Sequence, residues 1–452
     1  MLFNSTIFIL WFLPLVLLLY GCFPKKRMVV LLAANYIFYG WWNVWFCLLM
    51  LTSTCTDYIA GKYIYQSESK RKRKYILACS VCINLTLLGF FKYFGLLSDT
   101  VNALMDSQLL PTWNIILPVG ISFYTFQSMS YSIDMYRKNI KPANTFFDFA
   151  CYVSLFPQLV AGPIIRYKEL ANQLVKRSHT YEKFALGMQR FIIGLGKKMI
   201  IADTCAVIAN EAFALQEIST PMAWIGILAY TFQIYYDFSG YSDMAIGLGL
   251  LFGFTFPENF RYPYLSTSIG DFWRRWHITL GNWFRDYVYI PLGGSKKGIT
   301  RTLLNLLMTL FLAGLWHGAS WTFVLWGLYF GILLVVERLT LRIRSVLPKS
   351  IQIVSTFFLV VMGWVLFRSL SFADAIQYYT TLFTWNGQWN DVGLLALIII
   401  VLTATITLLE PRYPHFLQKV SWQSTMVCFV LFLVSIVLIA GNQASPFLYF
   451  QF

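Results

Sequence analysis

The chain alternates long apolar runs with short polar breaks from Phe3 to Ala440. Runs of about twenty apolar residues can cross a hydrocarbon core as helices, which satisfy their own backbone hydrogen bonds there. Spans are predicted near Phe3–Tyr20, Met28–Tyr39, Trp45–Tyr63, Tyr75–Leu96, Ile115–Met135, Ala185–Leu215, Met222–Phe252, Leu303–Trp316, Trp321–Val336, Ile351–Leu366, Leu394–Leu409 and Met426–Ile439. The pattern gives about twelve crossings and an all-α, polytopic helical bundle in the lipid bilayer. No repeat, low-complexity tract or linker interrupts it, so residues 1–452 read as one membrane domain. The apolar stretch FDFACYVSLFPQLVAGPI is broken by Pro157, Gly162 and Pro163 and has basic residues on both flanks. It predicts a re-entrant segment enclosed by protein, with two short tilted spans as the alternative.

Charge orients the bundle. Lysines and arginines outnumber acids 35 to 20, but they fall between apolar runs rather than along one soluble face. That is the positive-inside pattern of cytoplasmic loops and argues against a nucleic-acid partner. Lys25, Lys26 and Arg27 follow the first apolar run, which marks it as an uncleaved anchor with its N-terminus outside. The loop SDTVNALMDSQLLPTW carries no lysine or arginine, as an external loop should. The same alternation puts the C-terminal tail, residues 445–452, outside or at the outer interface. The eight cysteines lie mostly in apolar runs and read as small buried hydrophobes, with no disulfide or metal framework expected.

Polar chemistry concentrates in residues 236–321. Two Trp-His pairs lie there, Trp276-His277 and Trp316-His317. A histidine inside an apolar chain is costly unless it has a partner or a task, and an imidazole with a free pKa of about 6.5 can take a proton from a hydroxyl nucleophile near neutrality. Between Arg261 and Arg301 the cations Arg261, Arg274, Arg275, Arg285, Lys296, Lys297 and Arg301 face only Asp271 and Asp286. Arginine forks suit phosphate oxygens, and Trp273, Trp276 and Trp283 could flank a flat ring of a phosphate-bearing donor. From charge alone the plainer alternative is a loop lying at the headgroups, but the interleaved aromatics and the helix breakers Pro263, Pro291, Gly293 and Gly294 suit short amphipathic or re-entrant pieces packed into a bundle. Asp237 and Asp243 sit in an apolar run and are expected to pair with arginines of the following block or with backbone donors, as structural braces. GYSDM around Ser242 is not the G-x-S-x-G of an esterase nucleophile.

The motifs FPQLVAGPI, YDFSGYSDMAIGLG, ENFRYPY, FWRRWHITL, WFRDYVYIPLGG and LAGLWHGASW occur in that order. Together they resemble the membrane-bound O-acyltransferases, and among them the alginate O-acetyltransferase-like branch that includes teichoic-acid D-alanylation enzymes. The resemblance implies a bundle with re-entrant and interfacial helices around a central tunnel, in a bacterial cytoplasmic membrane. It implies transfer of an acyl group from a cytoplasmic thioester, with acetyl-CoA as donor and no bound cofactor or metal. The motif histidine falls on His317 as base and the second on His277, with Trp316 and Asn259 in support and Arg274, Arg275, Arg285, Trp273 and Trp276 on the donor side. His317 then ends a span near the outer face while His277 lies in the basic cytoplasmic block. His179 and His415 match no motif and read as solvated loop histidines. The tail SPFLYFQF resembles the C-terminal motif whose tyrosine, here Tyr449, is proposed to relay the acyl group to an extracytoplasmic SGNH-type partner that modifies a polysaccharide. An aromatic anchor is the alternative for the tail. For the whole protein the alternatives are D-alanyl or other acyl transfer to teichoic acid, peptidoglycan or lipid, and a proton-coupled transporter.

Overall fold

A computed structural model describes residues 1–215, 217–340, 346–388, 391–412, 419–441 and 445–448. Among these residues the chain is helical, without a β-strand. The first nine helices are α1 (Leu13–Cys22), α2 (Arg27–Gly40), α3 (Val44–Gln66), α4 (Lys70–Leu88), α5 (Phe94–Met105), α6 (Ile121–Tyr136), α7 (Phe146–Ser154), α8 (Tyr167–Val175) and α9 (Tyr181–Gly196). They are followed by α10 (Asp203–Ala214), α11 (Thr220–Leu251), the short α12 (Ile269–Arg275) and α13 (Ile278–Phe284), and α14 (Ile299–His317). The last five are α15 (Trp321–Leu339), α16 (Lys349–Arg368), α17 (Phe372–Phe383), α18 (Leu394–Leu409) and α19 (Trp422–Ala440). Short polar side chains start many of them by accepting a free first-turn amide: Asn43 from Trp45, Ser69 from Lys72, Ser268 from Asp271 and Ser371 from Asp374.

Seven helical segments among the described residues are long and apolar enough to cross a membrane, or up to eight with one bent pair. The sequence pattern gives about twelve crossings because it counts every long apolar run. Two differences account for most of the gap, the predicted span Ala185–Leu215 being also absent from the seven. Phe8–Cys22 and Pro24–Gly40, read as separate spans, form a pair bent by 109° at the intervening break. Helices α6 and α11 are buried along nearly their whole length. A helix wrapped by protein need not be as apolar as one wrapped by lipid, so serines, tyrosines and carboxylates are tolerated there. Helix α18, by contrast, turns Leu394, Leu395, Val401 and Leu402 outward.

The chain divides into two compact units, Met1–Phe191 with Met244–Pro257, and Ile192–Asp243 with Glu258–Phe452. Two of the three divisions fall inside α9 and α11, where no composition change marks them. In the first unit Phe8, Phe12, Phe38 and Phe156 pack ring on ring. The segment expected to be re-entrant is α7, a turn from Phe156 to Gly162, and an extended exit to Ile165. All of it from Phe149 is buried, with Asn35 Oδ1 accepting the Phe156 amide at 3.0 Å. Non-helical backbone is stable at that depth because protein side chains satisfy it. Also in this unit, Asp57 on α3 accepts from Ser80, Asn84 and Ser132, which ties α3, α4 and α6 together. His179 is exposed as expected, yet partnered: Tyr20 Oη lies 2.8 Å from its Nε2 and Arg27 3.1 Å from its Nδ1.

In the second unit α14 and α15 cross at glycines. A Cβ on Gly314 would stand 2.4 Å from the Phe323 carbonyl oxygen and 3.1 Å from the Gly327 Cα. That close approach seats the C-terminal end of α14 against Trp326, Phe330 and Phe367, where His317 lies.

Candidate active site

All the candidate site residues within the described chain belong to the second unit. Residues 259–284 do not lie as an interfacial loop. They fold in as the short helices α12 and α13, with Trp276 packed on Tyr235 of α11 and Trp364 of α16, and Phe272 on Phe330 of α15. This inward fold corrects the assignment of the two histidines to different sides. His277 and His317 are buried, 1% and 5% exposed, and both pack against Trp316, at ring separations of 6.0 and 5.0 Å. They are close enough for the charge of one to bear on the other.

His277 begins α13 with φ +44°, a left-handed backbone that costs a non-glycine residue energy and recurs at functional sites. Asn259 sets its chemistry. The Asn259 side-chain oxygen accepts from the Thr279 amide at 3.3 Å and the Thr279 hydroxyl at 2.9 Å, while its Nδ2 donates to Ser242 Oγ at 3.1 Å. A backbone N–H can only donate, so the amide orientation is fixed. The oxygen therefore also faces His277 Nδ1, at 3.1 Å. Nδ1 must carry the proton, and Nε2 becomes the basic nitrogen. Burial first, and the neighbouring His317 second, hold the His277 imidazolium well below the usual histidine range. Phe238 closes the ring edge-on at 4.7 Å. The result is a neutral imidazole in one tautomer.

His317 is the last residue of α14, walled by Trp316, Trp326 and Phe367 at 5.0, 5.0 and 5.4 Å. Arg368, next along α16, opens onto a cavity of about 700 Å³ lined also by Asn210, Phe213, Asp374, Gln377 and Tyr378. Its guanidinium donates to Asn210 at 3.0 Å and lies over Phe213.

The residues expected on the donor side separate. Arg274 and Arg285 are exposed, Arg274 lying 3.6 Å and Arg275 3.0 Å from Asp271, and Arg285 bonding to Asp286 at 2.8 Å. Trp273 packs on Trp326 and Phe330. Trp276 is 2% exposed, so it is core rather than a wall for a ring arriving from solvent.

The aspartates pair with lysines rather than with arginines, and Asp237 also takes a backbone donor, the other partner expected. Lys198 Nζ lies 2.7 Å from both Asp237 and Asp203, and Lys197 Nζ 3.1 Å from Asp243 and 2.9 Å from Glu410. Helices α9 and α11 cross so tightly that a Cβ on Gly240 would sit 2.8 Å from the Gly194 carbonyl oxygen, and the π-helical stretch Lys197–Ala202 continues α9 past this crossing. The sequence signal was present, a lysine pair and two carboxylates in apolar runs, but the pairing depended on which helices cross. Of the tail, residues 445–448 are described. Phe447 and Leu448 are buried, and the Leu448 amide donates to Asp237 at 2.9 Å. Tyr449 and His415 lie outside the described residues. Among the described residues no cluster of histidine, cysteine and carboxylate side chains could hold a metal ion.

Against known proteins, the model of the MBOAT, membrane-bound O-acyltransferase family, matches residues 132–373, which include both buried histidines. The chain is 41% identical to the probable alginate O-acetylase AlgI of Pseudomonas putida, over all of both chains. It is 34% identical to the peptidoglycan O-acetyltransferase of Helicobacter pylori, over all of this chain and 98% of that one. It is 28% identical to the teichoic acid D-alanyltransferase of Bacillus subtilis, over 58% of this chain and 71% of that one.

Proposed function

The chain belongs to the membrane-bound O-acyltransferase family, as a multi-pass membrane O-acyltransferase, and on that premise we propose that it carries acetyl groups outward for O-acetylation of a cell-envelope or exported polysaccharide. The donor is acetyl-CoA on the cytoplasmic side of a bacterial inner membrane, and both termini lie outside. The observation that carries the reading is the buried pair His277 and His317 inside the family-matched region, the first held neutral with Nε2 basic. The printed activities of the relatives over the whole chain, O-acetylase and O-acetyltransferase, support acetyl over other acyl groups.

The chemistry balances with groups of this chain. His317 accepts the phenolic proton of Tyr449, and the phenoxide oxygen attacks the thioester carbonyl carbon. The carbon–sulfur bond breaks, and the thiolate leaves with the proton returned by the imidazolium. His277, buried beside it, orients the reacting groups. The acetyl-tyrosine then yields its acyl group to a hydroxyl of an SGNH-type partner outside the membrane, which passes it to the polysaccharide. Exposed Arg274 and Arg285, with half-buried Arg275, serve the donor's phosphates as an electrostatic approach rather than as a closed pocket.

The test uses the full chain in lipid nanodiscs with radiolabelled acetyl-CoA, followed by peptide mass analysis. Label is expected on Tyr449 and is lost in His317→Ala. Thioester turnover at the wild-type rate by His317→Ala refutes the assignment of the base. The likeness to a teichoic acid D-alanyltransferase favours a second reading, with D-alanine as the acyl group. Label from a D-alanyl thioester but none from acetyl-CoA would replace the first reading by the second.

A further inference from the structure

Lys198 lies 1% exposed in the interior of the second unit, between two carboxylates at 2.7 Å. A buried ammonium needs such partners, but here they outnumber it. Two carboxylates against one ammonium leave acceptor positions unfilled, and the C-terminal segment fills them. Ser445 Oγ donates to Asp203 at 2.6 Å, the Ser445 amide faces the same carboxylate at 3.5 Å, and the Leu448 amide donates to Asp237 at 2.9 Å. In return the ammonium donates to Ser445 Oγ at 3.0 Å and to the Pro446 carbonyl at 3.3 Å. Phe447, 1% exposed, lies with its ring 4.9 Å from the ammonium and edge-on to Tyr241 at 5.0 Å.

We propose that Lys198, Asp203 and Asp237 form a binding seat for the extended segment Ser445–Leu448, and that this seat fixes where the residue after Leu448 is delivered. An aromatic anchor at a membrane interface would need only apolar rings at headgroup depth. This segment is instead held through its backbone at both ends, by charged groups that have no other function in view. Pro446, which has no N–H, sits where only a carbonyl is used. The seat is also tied to the histidines. Asp237 takes the Leu448 amide, and the next residue, Phe238, closes on His277. One helix therefore carries both the mooring and a wall of the proposed active site. Lys198, Asp203 and Asp237 are positioning residues. The consequence for catalysis rests on the reading of Tyr449 as acyl carrier, whereas the seat does not.

The test places a thiol at the buried end of the segment. Leu448→Cys keeps the backbone amide bond to Asp237 and is made in a background with exposed Cys22, Cys79 and Cys82 changed to serine, the same background with native Leu448 serving as blank. N-ethylmaleimide should label the introduced thiol slowly in the folded, nanodisc-embedded protein. Lys198→Met should raise the labelling rate. Because that change could unfold the bundle, Ser445→Val with Phe447→Ala is the second variant, altering only the tail. Loss of the charge-assisted bonds and ring contacts predicts a gain of about tenfold or more. Labelling of the introduced thiol as slow in the tail variant as in the unaltered seat overturns the proposal. In a parallel arm with native Leu448, acetyl label on Tyr449 should fall about tenfold with either variant. Unchanged acetyl label in variants whose introduced thiol has become reactive overturns the delivery role. If wild type never labels Tyr449 while both variants expose the introduced thiol, the seat stands and the acyl-tyrosine reading falls.

Discussion

Asn259→Asp is the sharpest perturbation of the proposed site. In the wild type the amide oxygen fixes the Nδ1–H tautomer of His277 at 3.1 Å without adding charge, and burial keeps the ring neutral. A carboxylate at the same place still accepts the Nδ1 proton but also attracts an imidazolium. Two unit charges about 4 Å apart at an effective dielectric of about 20 interact by about 4 kcal/mol. At about 1.4 kcal/mol per pKa unit, and with much of that gain spent on burying the carboxylate, the His277 pKa should rise by about one to two units. The neutral form of His277, the one that orients the reacting groups, would then be lost at higher pH on the acid side. The donor bond to Ser242 is lost as well, at about 1 kcal/mol of stability. Thioester turnover by the purified protein, measured from about pH 5 to 8, should show the acid limb moved upward by that amount. An Asn259→Asp profile with the wild-type acid limb and a uniform loss at every pH would refute the reasoning. Asn259 would then only pack.

His277 has a folded-state pKa below its unfolded value of about 6.5, so the unfolded chain binds the proton first as pH falls. Its contribution is complete above about 6.5 and lost as pH drops toward the folded value, so thermal stability should fall as the pH is taken below about 6.5, and less so in His277→Gln. Burial and nearby Arg27 hold His179 low too, with the same sign, and it is present in both proteins, so an equal fall in the two would contradict the His277 assignment. Gly314→Ala sets a Cβ 2.4 Å from a carbonyl oxygen of the facing helix and should cost about 1–3 kcal/mol, with thioester turnover falling because His317 shifts from Trp326. A melting temperature equal to wild type would show that the helices part freely. Trp276→Ala should cost about 3–5 kcal/mol in denaturant unfolding, as a buried aromatic does. Exposed Arg274→Gln should cost under about 0.5 kcal/mol while raising the KM for acetyl-CoA, and an unchanged KM would remove Arg274 from the donor approach.

The legible part of the sequence was whatever a single segment decides. Helix class, the concentration of chemistry near two Trp-His pairs, and the motif order needed only local pattern. Crossing number was less legible because α6 and α11 are wrapped by protein, and hydropathy measures suitability for lipid rather than depth. The meeting of His277 with His317 was obscured for a similar reason. Arginines on one face of α12 looked like a headgroup loop, but the same seven residues put Phe272 in the core, with Trp276 following directly. Short amphipathic helices read by charge alone are assigned to the surface, and the apolar half of the pattern was the better guide.

The partners of the buried charges show where local reading stops. Asp237 and Asp243 were each visible as misfits in an apolar run, and each had to be paired. Arginines following closely on the carboxylates were the nearer candidates along the chain, yet lysines preceding them won. What decides is the crossing of α9 and α11, where glycines bring the backbones together and direct the two lysines that follow toward successive turns of α11. Asp237 and Asp243 are six residues apart, so they meet different neighbours: Asp243 joins Lys197 near Glu410, while Asp237 joins Lys198 and retains an oxygen for the Leu448 amide. The same crossing that neutralises the buried lysines thus leaves one carboxylate oxygen facing the tail, and the C-terminal segment is recruited by a geometry set some two hundred residues earlier in the chain.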